Sequence, residues 1–315
     1  MEQVLENQPI FEEKPQKIRK YKSIAAKKEA IWGYVFIAPL TIGLLMFLAM
    51  PLFYSLYISL TEYDLFNPPK FVGFANFARA FSNQETEFWP SIGNAFVMCL
   101  GVFFSLILAL VVANILCGKI KFISFFKSIF FIPTICSAVA VGIMWKRMYD
   151  FYYGTVNHFV RLLGLEAVNW LDEGHAVGSI MFMSVLFGFG VNMLLYISAI
   201  KGISKQYYEA AEIDGANEFQ KFMHITLPSV SPISFYILIT GMIGCLQGFT
   251  TYKVMTNGNP ANTLMPVLLI YKYSGADYGT FYGYASCLAL ILGVIIAAIT
   301  AIQFLISKKW VHYES

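Results

Sequence analysis

Long runs without a charged residue alternate with short polar segments along this chain. Six runs contain no Asp, Glu, Lys or Arg; they cover Ala30–Thr61, Phe88–Gly118, Ser128–Trp145, Gly174–Ile200, Phe222–Tyr252 and Tyr278–Ser307. A helix needs about 20 apolar residues to cross a hydrocarbon core of about 30 Å, and each run can supply them if the third extends to about residue 122. Because the runs are continuously apolar and do not alternate with polar positions, they predict helices and not barrel strands.

We therefore predict an all-α integral membrane protein with six transmembrane helices. The predicted spans cover residues 32–60, 91–117, 123–145, 176–200, 230–252 and 281–306. Residues 1–28 are polar and are predicted to form an N-terminal tail, with the membrane domain over residues 29–315. The first run is longer than the apolar segment of a signal peptide, so we interpret it as a retained span.

The positions of lysine and arginine predict the orientation in the membrane. Of the 22 basic residues, most lie in the tail and in alternate connections between spans. The tail carries Lys14, Lys17, Arg19, Lys20, Lys22, Lys27 and Lys28. Because cytoplasmic segments are enriched in such residues, both termini are predicted to lie in the cytoplasm of a prokaryote, and the loops 61–90, 146–175 and 253–280 outside. The net charge of +3 follows this topology and gives no reason to expect a nucleic-acid partner.

Composition supports the membrane prediction and argues against several functions. The chain is 57% hydrophobic and 13% charged, against about 25% charged in soluble domains. Its five cysteines and four histidines are scattered without metal-ligand spacing, so no metal site is expected. No GxxxxGK[ST] loop is present to hold a nucleotide, and no catalytic constellation can be assembled. The spans lack the mid-membrane carboxylates that ion-coupled carriers use.

The segment between the fourth and fifth spans, residues 201–229, is too polar to cross a membrane. It reads KGISKQYYEAAEIDGANEFQKFMHITLPS. Ser204 is predicted to cap a helix to Ile213, and Asp214 to cap a second helix to about residue 224, before Pro228 stops it. Tyr207, Ala211 and Gly215 are spaced i, i+4, i+8, which predicts one helix face with small residues that a partner surface can approach closely.

This segment carries a spaced pattern: EAA, three residues, G, nine residues, I, one residue, LP. The matching residues are Glu209, Ala210, Ala211, Gly215, Ile225, Leu227 and Pro228. In this the chain resembles the integral membrane permeases of binding-protein-dependent ABC importers. The resemblance implies a type I ABC importer permease fold, in which this cytoplasmic EAA loop is a coupling helix that docks on a separate ATPase. Tyr207 and Asp214 belong to the same expected docking surface.

Other segments resemble the carbohydrate-uptake branch of these permeases. FVGFANFARAF at Phe71–Phe81 is similar to the FVGxxNF segment of such importers. GFTTYKVMTNGNP at Gly248–Pro260 is similar to FxxxxxxTxGGP, with Asn259 in place of the second glycine. The resemblance implies a sugar substrate, a second related permease subunit, two ATPase subunits and an external solute-binding protein. ATP and Mg are then expected in the ATPase partner, and no cofactor on this chain.

Resemblance to the larger permease subunit of the maltose importer also suggests where substrate passes. The positions implied in the fourth and fifth spans are Ser184, Phe187, Gly188, Val191, Cys245, Gln247 and Gly248. Asn192 and Tyr252 are added from polarity, because sugar sites combine aromatic faces with amide and hydroxyl groups. For each polar candidate the alternative is interhelical hydrogen bonding, and for Phe187 it is contact with lipid or packing against neighbours.

Two other functions stay open from the sequence. A permease of the same superfamily could carry an oligosaccharide acid, a polyol or a glycerol phosphodiester; basic residues lining the cavity would distinguish a carrier of acidic solutes, and none stands out within the spans. A membrane sensor or channel-like protein could share the loop, and it would not copurify with an ATPase.

Overall fold

The computed structural model describes residues 24–82, 85–118, 122–275 and 277–312. The predicted basic cluster before residue 24, and the basic residues Lys119 and Lys121, lie outside this range. The chain divides after Tyr54 into two compact units. The helices are α1 Ile24–Leu44, α2 Met50–Ser59, α3 Ala75–Ala80, α4 Phe88–Cys117, α5 Ile123–Ile135, α6 Ala138–Met148, α7 Thr155–Leu162, α8 Ala176–Gly202, α9 Lys205–Ile213, α10 Glu218–Lys221, α11 Leu227–Ser229, α12 Ser231–Leu246, α13 Thr250–Met255, α14 Pro266–Tyr273 and α15 Tyr282–Ser307.

Four of these helical segments are long and apolar enough to cross a membrane alone. The first joins α1 and α2 through a π-helical turn at Leu45–Ala49, and the candidate span covers Lys27–Ser59. The others are α4, α8 and α15, close to the predicted spans. Since α1 begins at Ile24, residues 24–28 are helical, whereas the sequence placed them in the tail.

The third predicted span, residues 123–145, is broken. Helices α5 and α6 meet at an angle of 99° across Cys136 and Ser137, which have extended backbone. Pro133 lies in the last turn of α5, where it removes one hydrogen-bond donor and crowds the preceding turn. The predicted span over residues 123–145 is therefore a bent pair of helices and not one continuous helix.

The fifth predicted span, residues 230–252, is also divided. A helical segment over residues 218–229 meets α12 at 63°, and Pro232 in the first turn of α12 marks the restart. The span ends at Leu246 and not near residue 252, because Gln247–Phe249 form a turn before α13. When each bent pair is counted as one span, the described residues contain six, as the sequence predicts.

The bundle is built on the packing of α4 against α8, with α12 against α4 and α5 against α8. Between these helices dispersion contacts stabilise the packing, because lipid tails are as apolar as the side chains. Small residues allow close approach: a Cβ on Gly190 of α8 would lie 2.3 Å from the Phe130 carbonyl oxygen of α5. Polar contacts also cross the core; for example, the buried Tyr196 hydroxyl donates to Ser234 Oγ at 2.9 Å.

Short elements connect the spans on the side predicted to face outward. Strand β1, Thr61–Glu62, pairs antiparallel with strand β2, Lys70–Phe71, just after α2. Helices α3, α7 and α14 lie in the three predicted outer loops, and a 3₁₀ turn at Ala261–Thr263 precedes α14. Asn94 of α4 donates to the carbonyl oxygens of Ala261 and Leu264, which fixes the third loop to the bundle.

Candidate functional site

The loop 201–229 folds into two short helices joined by a tight turn. Helix α9 runs from Lys205 to Ile213 with Ser204 at its N-cap position, so the predicted bounds of the first helix are confirmed. Ser204 makes no side-chain cap hydrogen bond, however. Ile203, which ends the long helix α8, and Ser204 both have extended backbone, and this lets the chain change direction before α9.

Gly215 ends helix α9 instead of lying on its face. Asp214 is the C-cap, and Gly215 follows in the left-handed conformation with φ +77°. The Ala216 amide donates to the Ala211 carbonyl oxygen at 2.9 Å, and the Gly215 amide to that of Glu212 at 3.1 Å. This is the Schellman arrangement, which favours glycine because a side chain strains this backbone. The prediction that Gly215 shares a helix face with Tyr207 and Ala211 was therefore wrong.

The second helix is capped by Asn217, and not by Asp214 as predicted. Asn217 Oδ1 accepts from the Gln220 amide at 2.9 Å, while Gln220 Oε1 accepts from the Asn217 amide at 2.8 Å. This reciprocal pair is a capping box. Pro228 also does not stop the helix, which continues through a π-helical turn at Phe222–Thr226 into α11. The wider turn leaves room for the proline ring, which would clash in a regular α-helix.

Lys221 holds the two short helices together. Its ammonium lies 2.9 Å from Glu212 Oε1 on α9 and 2.6 Å from Glu218 Oε1 on α10, and its side chain is only 8% exposed. Both carboxylates are largely exposed, so water screens these ion pairs and each stabilises the loop only weakly. A further hydrogen bond of 2.9 Å joins the Tyr208 and Thr226 hydroxyls. These contacts fix the relative position of α9 and the following helix.

The signature residues lie on or beside a solvent-exposed surface of this loop. Glu209, Ala210 and Leu227 are exposed, while Ile225 and Pro228 are half-buried. Around them, the side chains of Tyr207, Ile213 and Phe219 are 55%, 88% and 69% exposed. The turn encloses a concavity of about 310 Å³ between the helices, lined in part by Ala211, Gly215, Lys221 and Ile225. Exposed apolar side chains of this kind indicate a surface for a protein partner.

The four pathway candidates of the fourth span lie together on one face of α8. Ser184, Phe187, Gly188 and Val191 are exposed or half-buried, and a Cβ on Gly188 would meet no atom within 4 Å. Their spacing of three and four residues places them on the same side of the helix. The opposite side is buried in the bundle and includes Met193. This face is therefore partly open, but Phe187 packs against the hydrophobic core, which is the alternative that the sequence offered for it.

Asn192 has a different environment from its neighbours on α8. Its Nδ2 donates to Ser105 Oγ on α4 at 3.4 Å. This is the interhelical hydrogen bond that the sequence offered as the alternative.

The candidates at the end of the fifth span point in different directions. Gln247 is exposed at the end of α12. Cys245 Sγ lies 3.8 Å from the Ala95 carbonyl oxygen and thus faces α4. Tyr252 is only 6% exposed, and its ring lies 2.7 Å from the position of a Cβ on Gly248. Among these four, the structure leaves Gln247 open, whereas Gly248 makes room for the packed Tyr252 ring.

Sequence reasoning missed two residues that shape the loop. The pattern Asn217-x-x-Gln220 could have been recognised as a capping box, since Asn is among the best cap residues and Gln at the third position completes the motif. The bridging role of Lys221 had no comparable signal, because its two partners come from different helices and their distance depends on the turn at Gly215.

Comparison with known proteins gives the same assignment as the geometry. The family described as binding-protein-dependent transport system inner membrane component matches residues 90–312. A probable ABC transporter permease protein, YesP of Bacillus subtilis, is 36% identical over 300 residues, which cover 93% of this chain and 96% of the relative. The trehalose/maltose transport system permease protein MalF of Thermococcus litoralis is 32% identical over 289 residues, 89% of this chain and 95% of the relative.

A solved structure confirms the predicted permease fold. A chain of the bacterial ABC transporter that imports the acidic polysaccharide alginate aligns with a TM-score of 0.80, over 90% of this chain and 98% of that chain. Its sequence identity of 21% supports the fold alone. Taken with the EAA loop and the spans, the family match over most of the chain shows that this multi-pass membrane protein belongs to the binding-protein-dependent transport system inner membrane components.

Proposed function

We propose that this chain is the transmembrane permease subunit of an ATP-driven, binding-protein-dependent sugar importer. It forms half of the translocation pathway and couples to a separate ATPase through residues 201–229. The observation that supports the proposal is the structure of the EAA loop. It forms two short helices with exposed motif residues, and the turn at Gly215 and the ion pairs of Lys221 fix their relative position. The choice of sugar is supported by the resemblance of the FVGxxNF segment and by the trehalose/maltose permease relative.

In this proposal the chain pairs with a second, related permease to form a heterodimer. Two ATPase subunits bind ATP and Mg, and an external or periplasmic binding protein delivers the sugar. Both termini lie in the cytoplasm, in agreement with the distribution of lysine and arginine. The pathway candidates Ser184, Phe187, Gly188, Val191 and Gln247 carry no basic side chain, which favours a neutral solute over an anionic one.

The loop would act as a rigid lever between the ATPase and the membrane bundle. Closure of the ATPase pair on ATP would move the exposed surface around Glu209, and the fixed geometry of α9 and α10 would transmit that movement to α8 and α12. A ligand can shift an equilibrium between two states only through contacts that differ between them. ATP would supply those contacts in the partner subunit, so this chain needs no nucleotide site of its own.

Reconstitution tests this function directly. The tagged chain, expressed with its partner permease, ATPase and binding protein, is expected to copurify with the ATPase and to take up sugar into proteoliposomes only when ATP is present. A panel of sugars is screened for stimulation of ATP hydrolysis. Uptake that proceeds without nucleotide, or a chain that assembles with no ATPase, would contradict the proposal.

Replacing Gln247 by alanine is expected to raise the KM for sugar uptake about 3- to 10-fold, because one hydrogen bond to a sugar hydroxyl contributes about 1 kcal/mol. Uptake kinetics in the reconstituted complex measure the effect. Asn192→Ala is the comparison, since that amide already bonds to Ser105 and its loss should alter stability and not sugar preference. An unchanged KM and sugar preference in Gln247→Ala would remove this residue from the pathway.

A further inference from the structure

An open cavity of about 640 Å³ lies at the outward end of α15, away from the pathway face of α8. We call it the brace cavity. The residues on which the argument depends are Glu62, Tyr63, Asn76, Arg79, Phe281 and Tyr284. They come from the FVGxxNF segment, the strands before it and the start of α15. The family assignment gives these residues no role.

The walls of the brace cavity are fixed by hydrogen bonds between distant segments. Asn76 Nδ2 donates to the carbonyl oxygens of Ser59 at 2.8 Å and Thr61 at 2.9 Å. The Gly283 amide donates to the Tyr63 carbonyl oxygen at 3.2 Å. A Cβ on Gly283 would lie 2.0 Å from the Thr61 carbonyl oxygen, so only glycine allows this contact. The cavity is thus preformed, as small-molecule sites usually are.

Arg79 is the unusual group in this cavity. Its guanidinium carbon lies 4.1 Å from the centroid of the Tyr284 ring and 5.8 Å from that of Phe281. The side chain is half-buried, yet its guanidinium makes no hydrogen bond or ion pair with any residue that the structure describes. Aromatic stacking therefore holds the guanidinium in place, while its N–H donors have no partner in the part of the chain that the structure describes.

The nearest buried carboxylate already has its own partners. Glu85 accepts from the Tyr284 hydroxyl, and its Oε1 accepts from the Glu87 and Phe88 amides at 3.0 and 2.8 Å. It caps the start of α4 and holds Tyr284 beneath the Arg79 guanidinium. Glu85 therefore positions the ring against which Arg79 stacks, and it leaves the donors of Arg79 available.

The charges that line the cavity balance. Two carboxylates, Glu62 and Asp64, face two cations, Lys70 and Arg79, and none of them forms an ion pair within the described residues. Hydrogen bonds from the backbone and side-chain amides of Asn67 lower the pKa of Asp64, so its carboxylate is charged at neutral pH. Donors and acceptors thus alternate around aromatic rings with no net charge. That combination suits a neutral ligand rich in hydroxyl groups better than an anion.

We propose that the brace cavity binds a neutral saccharide unit, with Arg79 and Glu62 bonding its hydroxyls and the rings of Tyr63 and Phe281 against its C–H faces. The site is separate from the α8 face and would hold sugar at the outer end of the bundle. The inference rests on the proposed function, since a sugar importer is the protein in which such a site is useful.

Saturation-transfer NMR on the purified full chain in nanodiscs tests this site without any transport. D-glucose, L-arabinose, maltose and trehalose are the probes, with D-glucuronate as the charged comparison. We expect at least one neutral sugar to bind. Arg79→Gln and Glu62→Gln should each raise the apparent Kd for that sugar by about 10-fold or more. Arg147→Gln, which removes an exposed arginine from the second predicted outer loop, should leave this binding unchanged.

Three outcomes would overturn the inference. They are that no neutral sugar binds, that glucuronate binds while the neutral sugars do not, or that binding survives both Arg79→Gln and Glu62→Gln. Because Glu62 is exposed, Glu62→Gln should fold normally even if loss of the Arg79 stacking disturbs the protein, and thermal melting of each variant checks this. Transport is scored separately: ATP-dependent sugar uptake with no Arg79-dependent binding refutes the site alone, whereas absent uptake with such binding refutes the proposed function.

Discussion

Gly215→Val is expected to reduce ATP-dependent uptake by more than about 10-fold while the protein still inserts and folds in the membrane. A left-handed backbone costs an ordinary residue about 1–2 kcal/mol, and a β-branched residue is worse. The two hydrogen bonds that end α9, from the Ala216 and Gly215 amides, would be lost with that conformation. The surface around Glu209 would then no longer have a fixed position relative to α10. Uptake and ATPase copurification are the measurements.

Two control variants separate the backbone effect from the size of the side chain. A Cβ at Gly202 or at Gly215 meets no atom within 4 Å, but only Gly215 has a positive φ. Gly202→Val should therefore leave uptake within about twofold of the wild type. Gly215→Asn should retain most activity, because asparagine tolerates the left-handed region. If valine were harmless at residue 215, or equally harmful at residue 202, the role of the turn in coupling would be refuted.

Gly190→Ala is expected to lower the free energy of unfolding by about 1–3 kcal/mol, since overpacking forces helices apart. The added Cβ would lie 2.3 Å from the Phe130 carbonyl oxygen and 3.1 Å from Thr134 Cγ2. Because the nearest atom belongs to the backbone of α5, a change of side-chain rotamer cannot relieve the contact. Denaturant titration of the full chain in detergent micelles, followed by circular dichroism, measures the change.

Gly178→Ala on the same helix is expected to change the free energy of unfolding in the opposite direction. Its Cβ would meet no atom within 4 Å. Alanine there should stabilise the chain by about 0.5–1 kcal/mol, because glycine weakens helices. If both alanine variants shifted stability in the same direction, helix propensity and not the crossing of α5 and α8 would dominate at Gly190.

The sequence predicts the membrane-spanning pattern well because the bilayer imposes a single requirement on each span. The lengths of α4, α8 and α15 follow directly from charge-free runs. The break at Cys136 and the end of α12 at Gln247 do not follow from those runs. A run of apolar residues looks the same whether its helix is straight, bent or interrupted. Pro133 indicates that a bend is nearby, but the angle of 99° depends on packing against α8 and α13.

In the loop 201–229, several residues of the motif are exposed, but the predicted placement of one motif residue was wrong. A spacing of four residues suggested a helix face for Gly215, whereas helix α9 ends at Ile213, two residues before it, and the turn is closed by local hydrogen bonds. Similarly, Asp214 and Asn217 are both good cap residues, and only the capping-box partner Gln220 distinguishes them. Which of two nearby residues caps a helix depends on the geometry of their side chains, and the spacing of residues in the sequence does not specify that geometry.

For the pathway candidates, residue type could not predict direction. Tyr252 and Gln247 are both polar and five residues apart, yet the turn after α12 buries one and exposes the other. Cys245 and Asn192 are directed toward neighbouring helices by contacts with Ala95 and Ser105. Such orientations depend on how distant segments pack, which a single sequence does not specify.

The hydrogen bonds of Asn76 and the glycine at residue 283 also restrict how the bundle can move. Asn76 ties α3 to the end of α2, and Gly283 lets the first turn of α15 approach the backbone of residues 61–63 directly. In the proposed transport cycle, these segments are therefore expected to move together. We expect bending to occur at the two helix bends, at residues 136–137 and 229–231.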